Sequence, residues 1–288
     1  MEHWLTYAIV TTLFWGVWGA FIELPEKRGF PATLGYVVWS LTMIPCALVA
    51  LNIIGWKLET DPRSIALGSA AGLLGAGGQL ALFEALRRGP AYLVFPIISL
   101  SPAISVAMAA LLLGESATPR VWTGIVLALV AVPLLAYQPP AAAGAQPVSR
   151  GRSWFWLAVA VCLAWGIQAY VLRFANQTMK SESIFLYMTV TAVLLAPIAL
   201  GMTDFKKPIN WGPSGPWLAA AIQSLNSIGA LTMVYAFRYG KAIVVSPLIN
   251  AVAPAITVLL SLLLYRTIPH RVVAFGIALA AVAFFLMS

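Results

Sequence analysis

Long apolar stretches alternate with short polar turns along the whole chain. An α-helix rises about 1.5 Å per residue, so about 20 consecutive apolar residues are needed to cross the hydrocarbon core of a bilayer. Turn residues, among them Asp61-Pro62 and Gly89-Pro90, separate the apolar stretches. The pattern predicts ten membrane-spanning helices, at residues 5–23, 32–54, 65–86, 91–113, 120–137, 154–173, 183–202, 216–237, 242–265 and 270–287.

One segment between the fifth and sixth stretches lacks the apolar pattern. Residues 138–152 read QPPAAAGAQPVSRGR, a composition too rich in Pro, Ala and Gly for a packed fold. We interpret this segment as a linker. It divides the chain into a first five-helix repeat at 1–137 and a second five-helix repeat at 153–288.

The two halves repeat each other. ALRRGPAYLVFPIISLSPAISVAMAALLLGE at 85–115 matches AFRYGKAIVVSPLINAVAPAITVLLSLLLYR at 236–266, and LFWGVWGAFIE at 13–23 matches LAWGIQAYVLR at 163–173. Because each half has an odd number of crossings, the second half enters the bilayer from the opposite side. We therefore predict an all-α integral membrane protein, with ten transmembrane helices arranged as two inverted five-helix repeats around a central cavity.

Composition supports lipid as the solvent of this fold. Hydrophobic residues make up 61% of the chain and charged residues 9%, and the mean hydropathy is +0.90. The net charge of +8 comes from Lys and Arg that lie mostly between the apolar stretches, where they meet anionic lipid headgroups. We expect the lipid bilayer and a small-molecule solute as partners, and no nucleic acid. The expected location is the bacterial inner membrane, and the oligomeric state stays open between a monomer and a homodimer.

The fourth apolar stretch carries a motif that resembles a known family. The matching positions are Ala85, Leu86, Gly89, Ala91, Pro96, Pro102 and the Leu-Leu-Leu-Gly-Glu run at 111–115. The motif resembles the fourth-span signature of EamA-type members of the drug/metabolite transporter superfamily, and the second copy is similar except for Tyr265-Arg266 in place of Gly-Glu. The resemblance implies ten spans, cytoplasmic termini, and transport of amino acids, sugars, nucleobases, nucleotide sugars or drugs. A slight excess of Lys and Arg in the loops opposite the termini favours the reverse orientation, so the orientation stays open.

Paired prolines in the fourth and ninth stretches predict helix breaks. A proline removes a backbone donor and clashes with the preceding turn, so a carbonyl one turn earlier loses its partner. In a membrane such carbonyls face protein or a wet cavity, where nearby hydroxyls and amides can also meet a solute. The alternative is that the prolines only shape helix packing. The predicted breaks are at Pro96, Pro102, Pro247 and Pro254, with Ser99, Ser101, Ser246 and Asn250 beside them.

Tryptophans lie in the middle of the first and sixth stretches. Trp15 and Trp18 share one helical face, as do Trp165 and Gln168 in the matching stretch. A ring beside an amide at mid-span suits a cavity wall that stacks on a flat or amphipathic solute, although core packing is the alternative. Amides at Gln79, Gln223 and Asn226 are costly in lipid, so we expect them to face the bundle interior, where they either bind solute or join helices.

These patterns give one set of candidate site residues. We expect the cavity to be walled by the first, third, fourth, sixth, eighth and ninth spans, with the fifth and tenth as scaffold. Tyr235 is a secondary candidate, together with Tyr36 and Tyr187 at equivalent places in their halves. The candidate solute-binding residues are Trp15, Trp18, Gln79, Ser99, Trp165, Gln168, Asn226, Tyr235 and Asn250.

Glu23 and Glu84 are the carboxylates that the predicted spans place within the membrane. A buried glutamate can couple transport to protons, because it gains or loses a proton as water access alternates. The alternative is ion pairing at the interface, since Glu23 lies within five residues of Arg28 and Glu84 precedes Arg87 and Arg88 by one turn.

The remaining chemistry favours a carrier over an enzyme. The two histidines, His3 and His270, lie at span ends, and no aspartate falls inside a predicted span, so metal sites, catalytic triads and cofactors are not expected. A charge ring or carbonyl filter typical of a channel is also missing from the sequence. We predict a secondary transporter that moves small neutral or zwitterionic metabolites, of the amino acid, nucleoside or sugar class, by alternating access. The alternatives are a membrane-embedded receptor or sensor, and a drug or cation exporter of the same fold.

Overall fold

Helices account for all the regular secondary structure in the described part of the chain. The computed structural model describes residues 3–137, 152–265 and 270–288, so the predicted linker up to residue 151, Arg266 and Pro269 lie outside the described residues. The first half contains α1 (His3–Phe21), α2 (Leu24–Lys27), α3 (Ala32–Ile53), α4 (Pro62–Gly72), a π-helical turn (Leu73–Gly77), α5 (Gly78–Arg88), α6 (Ala91–Ile98), α7 (Ser101–Leu112) and α8 (Pro119–Leu135). The second half contains α9 (Ser153–Ala175), α10 (Ser181–Gly201), α11 (Pro216–Tyr239), α12 (Ala242–Tyr265) and α13 (Arg271–Met287).

Eight of these segments are long and apolar enough to cross a membrane. They are His3–Lys27, Ala32–Ile53, Pro62–Arg88, Leu93–Leu112, Ser153–Ala175, Ser181–Gly201, Pro216–Tyr239 and Ala242–Leu264. The fifth and tenth predicted spans correspond to α8 and α13, which are apolar but have only 17 residues each. A span needs about 17 to 25 residues, so these two helices are at the lower limit. Length and composition thus support eight of the ten predicted crossings.

The third span is irregular in its middle. A π-helical turn, Leu73–Gly77, separates α4 from α5 within a run of glycines. Such turns offset backbone carbonyls from their usual partners, and they occur often at functional sites. Glycine also lets α9 approach closely here, because a Cβ added to Gly78 would lie 2.5 Å from the Trp165 indole nitrogen.

The fourth and ninth spans respond differently to their paired prolines. The fourth span is interrupted after α6, where the Leu100 amide donates to the Ile97 carbonyl oxygen at 3.2 Å and the Ala103 amide to the Leu100 carbonyl oxygen at 3.0 Å. By contrast, α12 continues through Pro247 and Pro254, so the break expected at these two prolines is not seen.

Proline spacing explains this difference. The prolines of α12 are seven residues apart, close to two full turns, so both lost donors are on one face and the helix can absorb them by bending. In the fourth span the spacing between Pro96 and Pro102 is six residues, which places the two defects on different faces.

The two halves pack against each other through equivalent helices. The first helix, α1, packs against α11 and α12, and its counterpart α9 packs against α5 and α7. Further contacts between the halves include α3 with α10 and α8 with α13, each a repeat-related pair, and α3 with α11 and α4 with α10, which are equivalent to each other. Each of these contacts therefore has a counterpart in which the equivalent helices of the other half take part. Small residues allow the close approach, as where Gly16 faces Ile256 and Gly166 faces Ile104.

Candidate solute cavity

A cavity of about 1550 Å³ lies between the two halves. Its wall includes residues of all six spans expected to form it, and Trp39, Met43 and Met188 add contributions from α3 and α10. Among the described residues, none of those lining the cavity belongs to α8 or α13. A volume of this size can hold a metabolite together with water.

Seven of the nine predicted solute-binding residues line this cavity. They are Trp15, Trp18, Gln79, Trp165, Gln168, Asn226 and Asn250. Ser99 and Tyr235 are not part of the lining, and of the four prolines only Pro254 is. The Ser99 hydroxyl donates to the Pro96 carbonyl oxygen at 2.7 Å, which compensates locally for the helix interruption.

The mid-span tryptophans Trp15 and Trp165 use their indole N–H groups for contacts between helices. Trp165 Nε1 donates to the Gly75 carbonyl oxygen at 3.3 Å, inside the π-helical turn, and Trp15 Nε1 donates to the Asn226 carbonyl oxygen at 3.3 Å. Each ring also packs against the glycine three residues after its acceptor: Trp165 against Gly78, and Trp15 against Gly229. The faces of these rings, rather than their N–H groups, are therefore what the cavity offers to a solute.

Trp18 and Gln168 are also anchored to neighbouring helices. Trp18 Nε1 donates to Gln223 Oε1 at 3.1 Å, and Gln168 Nε2 donates to the Ala71 carbonyl oxygen at 3.0 Å. The Gln168 side-chain oxygen is left as an acceptor. Gln223 is buried and joins helices, which is one of the two roles the sequence left open for it.

Gln79 and Asn226 have uncommitted side-chain amides. Within the described part of the chain, no hydrogen bond is formed to either amide, and both residues line the cavity. Asn250 Nδ2 donates to the Ser246 carbonyl oxygen at 2.9 Å, so its oxygen remains as an acceptor. Together these groups present donors and acceptors without charge.

Charged side chains gather where the cavity reaches the surface, at the ends of spans. Those that line it are Glu23, Glu26, Arg87, Asp204 and Lys207, which we call the mouth. Glu23 forms an ion pair with Lys27 at 2.8 Å, and its side chain is 71% exposed.

Glu84 lies outside the cavity lining. It pairs with Arg88 at 2.6 Å and with Arg87 at 3.4 Å. Glu84 thus pairs with the two arginines that the sequence indicated, whereas Glu23 pairs with Lys27, although the sequence pointed to Arg28. Proton coupling through either carboxylate stays a hypothesis.

The sequence of both halves matches one family model. The EamA-like transporter family matches at residues 3–137 and again at 152–288. The chain belongs to this family.

This EamA-like transporter is also similar to one protein over about half of its length and to one solved structure over nearly all of it. An uncharacterized protein of Methanocaldococcus jannaschii is 30% identical over 138 residues, which are 97% of that protein and 47% of this chain. That relative is therefore about the size of one repeat. A protein of known crystal structure is similar over 98% of this chain and 97% of its own, with a TM-score of 0.76 and 19% identity, so it shares the fold. Family and apolar helices together make this chain a multi-pass integral membrane protein.

An ion pair that the sequence reading missed lies at the end of this EamA-like transporter opposite the mouth. Among the described residues, the cavity lining at this end stops at the buried side chains of Leu172 and Phe237 and does not include Glu115 or Arg173. Arg173 Nε lies 2.8 Å from Glu115 Oε1, and we call these two residues the closed-end ion pair. Arg173 also donates to the carbonyl oxygens of Phe237 and Arg238, each at 3.1 Å. The available signal was weak: opposite charges at the ends of the fourth and sixth spans.

Glu182 is a second group that the sequence reading missed. It lies in the first turn of α10 and is only 9% exposed. The Tyr235 hydroxyl donates to Glu182 Oε1 at 2.6 Å, which explains why Tyr235 is held away from the cavity. This contact gives Tyr235 a structural partner in place of the predicted solute.

Proposed function

We propose that this protein is a secondary carrier of small neutral or zwitterionic metabolites, of the amino acid, nucleoside or sugar class. The observation that carries the proposal is one cavity, walled by both repeats, whose depth is lined by amides, hydroxyls and indole faces. Charged lining residues in the described part of the chain are confined to the mouth.

The polarity of the cavity supports the solute class. A charged solute without a fixed counter-charge loses its hydration on entering such a site, which costs several kcal/mol. A neutral solute can instead stack on the faces of Trp15 and Trp165 while the amides of Gln79 and Asn226 bind its polar edge. A zwitterion brings its own opposite charge, so it also fits.

The packing of the halves supports alternating access. Repeat-related helices form equivalent contacts, so the halves can exchange conformations and close one end while opening the other. We include α8 and α13 as the fifth and tenth crossings, which makes two inverted five-helix repeats at 1–137 and 153–288, joined by the linker at 138–152. The location we propose is the bacterial inner membrane.

A second candidate is a drug or cation exporter. Glu23, Glu26 and Asp204 at the mouth, with several tryptophan faces behind them, suit an organic cation. Arg87 and Lys207 at the same mouth offset part of this negative charge.

A binding screen followed by counterflow tests the proposal. Pools of neutral, zwitterionic and cationic compounds are screened by thermal shift on purified protein. We expect a neutral or zwitterionic compound to raise the Tm, and Gln79→Ala to reduce that shift while the exposed control Gln177→Ala keeps it. Shifts only with cations would favour the exporter, and binding without counterflow for every binder would favour a receptor.

A further inference from the structure

The closed-end ion pair links segments from both halves. Glu115 follows α7 in the first half, and Arg173 lies in the last turn of α9 in the second half. Glu115 Oε2 also accepts the Ile243 backbone N–H at 3.1 Å, at the start of α12. With the two carbonyl contacts of Arg173 at the end of α11, four segments meet at one pair.

The helix ends favour the charges that meet them here. Glu115 places a negative charge at the N-terminus of α12, and Arg173 places a positive charge at the C-terminus of α11, where the helix dipoles stabilise each sign. The Glu115 side chain is 6% exposed and that of Arg173 is 20% exposed. Separating these segments would leave a buried charge without its partner, which is strongly unfavourable. The ion pair therefore stabilises the arrangement in which the segments stay together.

Equivalent positions of the two repeats form different contacts at the mouth and at the closed end. The repeat aligns Arg173 with Glu23 and Glu115 with Arg266, so the charges are exchanged between the halves. At the mouth, the Glu23 side chain forms an ion pair with Lys27, four residues further along in the same half, and is exposed to solvent. At the closed end, its counterpart Arg173 is partly buried and bonded across the interface of the halves. Arg266 lies outside the described residues.

We propose that the closed-end ion pair holds the cavity shut at this end and has to separate before the cavity can open there. This inference rests on the proposed alternating access. Arg173 lies two turns beyond Trp165 on α9, and Ile243 lies one turn before Ser246 on α12. Separation of the pair therefore releases two helices that carry cavity-lining residues. Lys241 adds an exposed second contact, donating to the Ser116 carbonyl oxygen at 2.6 Å.

Thiol labelling of a buried reporter beside the pair tests this proposal. Ala242, next to Ile243, is fully buried, and Ala242→Cys is introduced after Cys46 and Cys162 are replaced by alanine. Maleimide labelling is measured in nanodiscs. We expect Glu115→Gln and Arg173→Gln each to raise the labelling rate at least about tenfold, because either leaves one charge without its partner. The matched control is Glu84→Gln, which removes an exposed ion pair and should leave the rate unchanged.

A milder variant keeps the test decisive if Glu115→Gln or Arg173→Gln does not fold. Lys241→Gln removes the exposed contact alone, and we expect a rise of about threefold, as for a surface interaction. Equal labelling rates in the parent and in every folded variant would overturn the proposal. Labelling needs no solute, so the two proposals can fail separately. Equal labelling rates together with intact counterflow would remove only the proposed role of the ion pair. Increased labelling without counterflow would instead remove the transport proposal.

Discussion

The indole nitrogen of Trp165 lies 3.3 Å from the carbonyl oxygen of Gly75, inside the π-helical turn of the third span. The repeat-related Trp15 has the same relationship with Asn226, also at 3.3 Å. One tertiary contact is thus present in both halves, although only one of the two carbonyls lies in a π-helical turn. The contact fixes the orientation of both rings at the cavity wall.

Because Gly78 packs closely on Trp165, adding a single methyl group at Gly78 is expected to lower the stability of the protein markedly. A Cβ at Gly78 would lie 2.5 Å from Trp165 Nε1, whereas a Cβ at the control position Gly77 would lie 3.5 Å from the nearest atom, on Leu73. We expect Gly78→Ala to destabilise the protein by about 1–3 kcal/mol, as overpacking does. Gly77→Ala should be neutral or slightly stabilising, because alanine favours helix. Thermal unfolding measures both, and equal Tm changes would contradict the packing described here.

The hydrogen bond between Tyr235 and Glu182 predicts a structural role for the tyrosine. Tyr235→Phe removes the hydroxyl and leaves a buried carboxyl oxygen without that donor, which costs about 1–3 kcal/mol. Tyr170, which stacks on Phe174, serves as the control, and Tyr170→Phe should change the Tm little. Solute-induced thermal shifts should persist in Tyr235→Phe. An unchanged Tm combined with lost binding would instead favour the solute contact predicted from the sequence.

The N-terminus of α4 predicts a pH-dependent contribution to stability. Hydrogen bonds from the Ser64 side chain and backbone lower the pKa of the Asp61 carboxyl from its ordinary value of 3.8. A lowered pKa stabilises the fold above the ordinary value, and this contribution is lost as the pH falls through the lowered pKa. Asp61→Ala should therefore reduce the Tm at pH 7, and the difference from wild type should shrink below about pH 4.

Asp61→Asn is the matched control for this effect, because it keeps an oxygen that can cap the helix. It should remain close to wild type at neutral pH. If the Tm difference between wild type and Asp61→Ala stayed constant as the pH fell below about 4, the ionised Asp61 carboxylate would not be what stabilises the start of α4.

Proton coupling through Glu23 and Glu84 is tested by replacing both with glutamine. Both carboxylates form ion pairs with basic neighbours outside the depth of the cavity. We therefore expect solute-driven proton flux, where it is measured, to stay within about twofold of wild type, the scale of a weak surface interaction. Loss of flux in the double variant with solute exchange retained would assign coupling to these residues.

Hydropathy and internal repetition were enough to predict most of the fold. The helical period placed Trp15 with Trp18, and Trp165 with Gln168, because side chains at i, i+3 and i+4 share a face. All four residues line the cavity. The π-helical turn was not predictable, since a glycine run permits several backbone conformations.

Contacts between distant segments were also beyond the sequence. The pairing of Glu115 with Arg173 depends on how the halves dock. The position of Tyr235 depends on a partner in another helix, Glu182. The continuity of α12 depends on a one-residue difference in proline spacing, and the sequence pattern alone does not show how each helix accommodates its prolines.

Counterflow in proteoliposomes tests the central claim most directly. Vesicles loaded with an excess of an unlabelled binder are diluted into a trace of the same compound carrying a label. A carrier that exposes one cavity alternately to each side predicts transient, saturable accumulation of label, reduced in Gln79→Ala and retained in Gln177→Ala. Label that only equilibrates, at the rate of empty vesicles and for every compound that binds, would contradict the claim that this protein is a carrier.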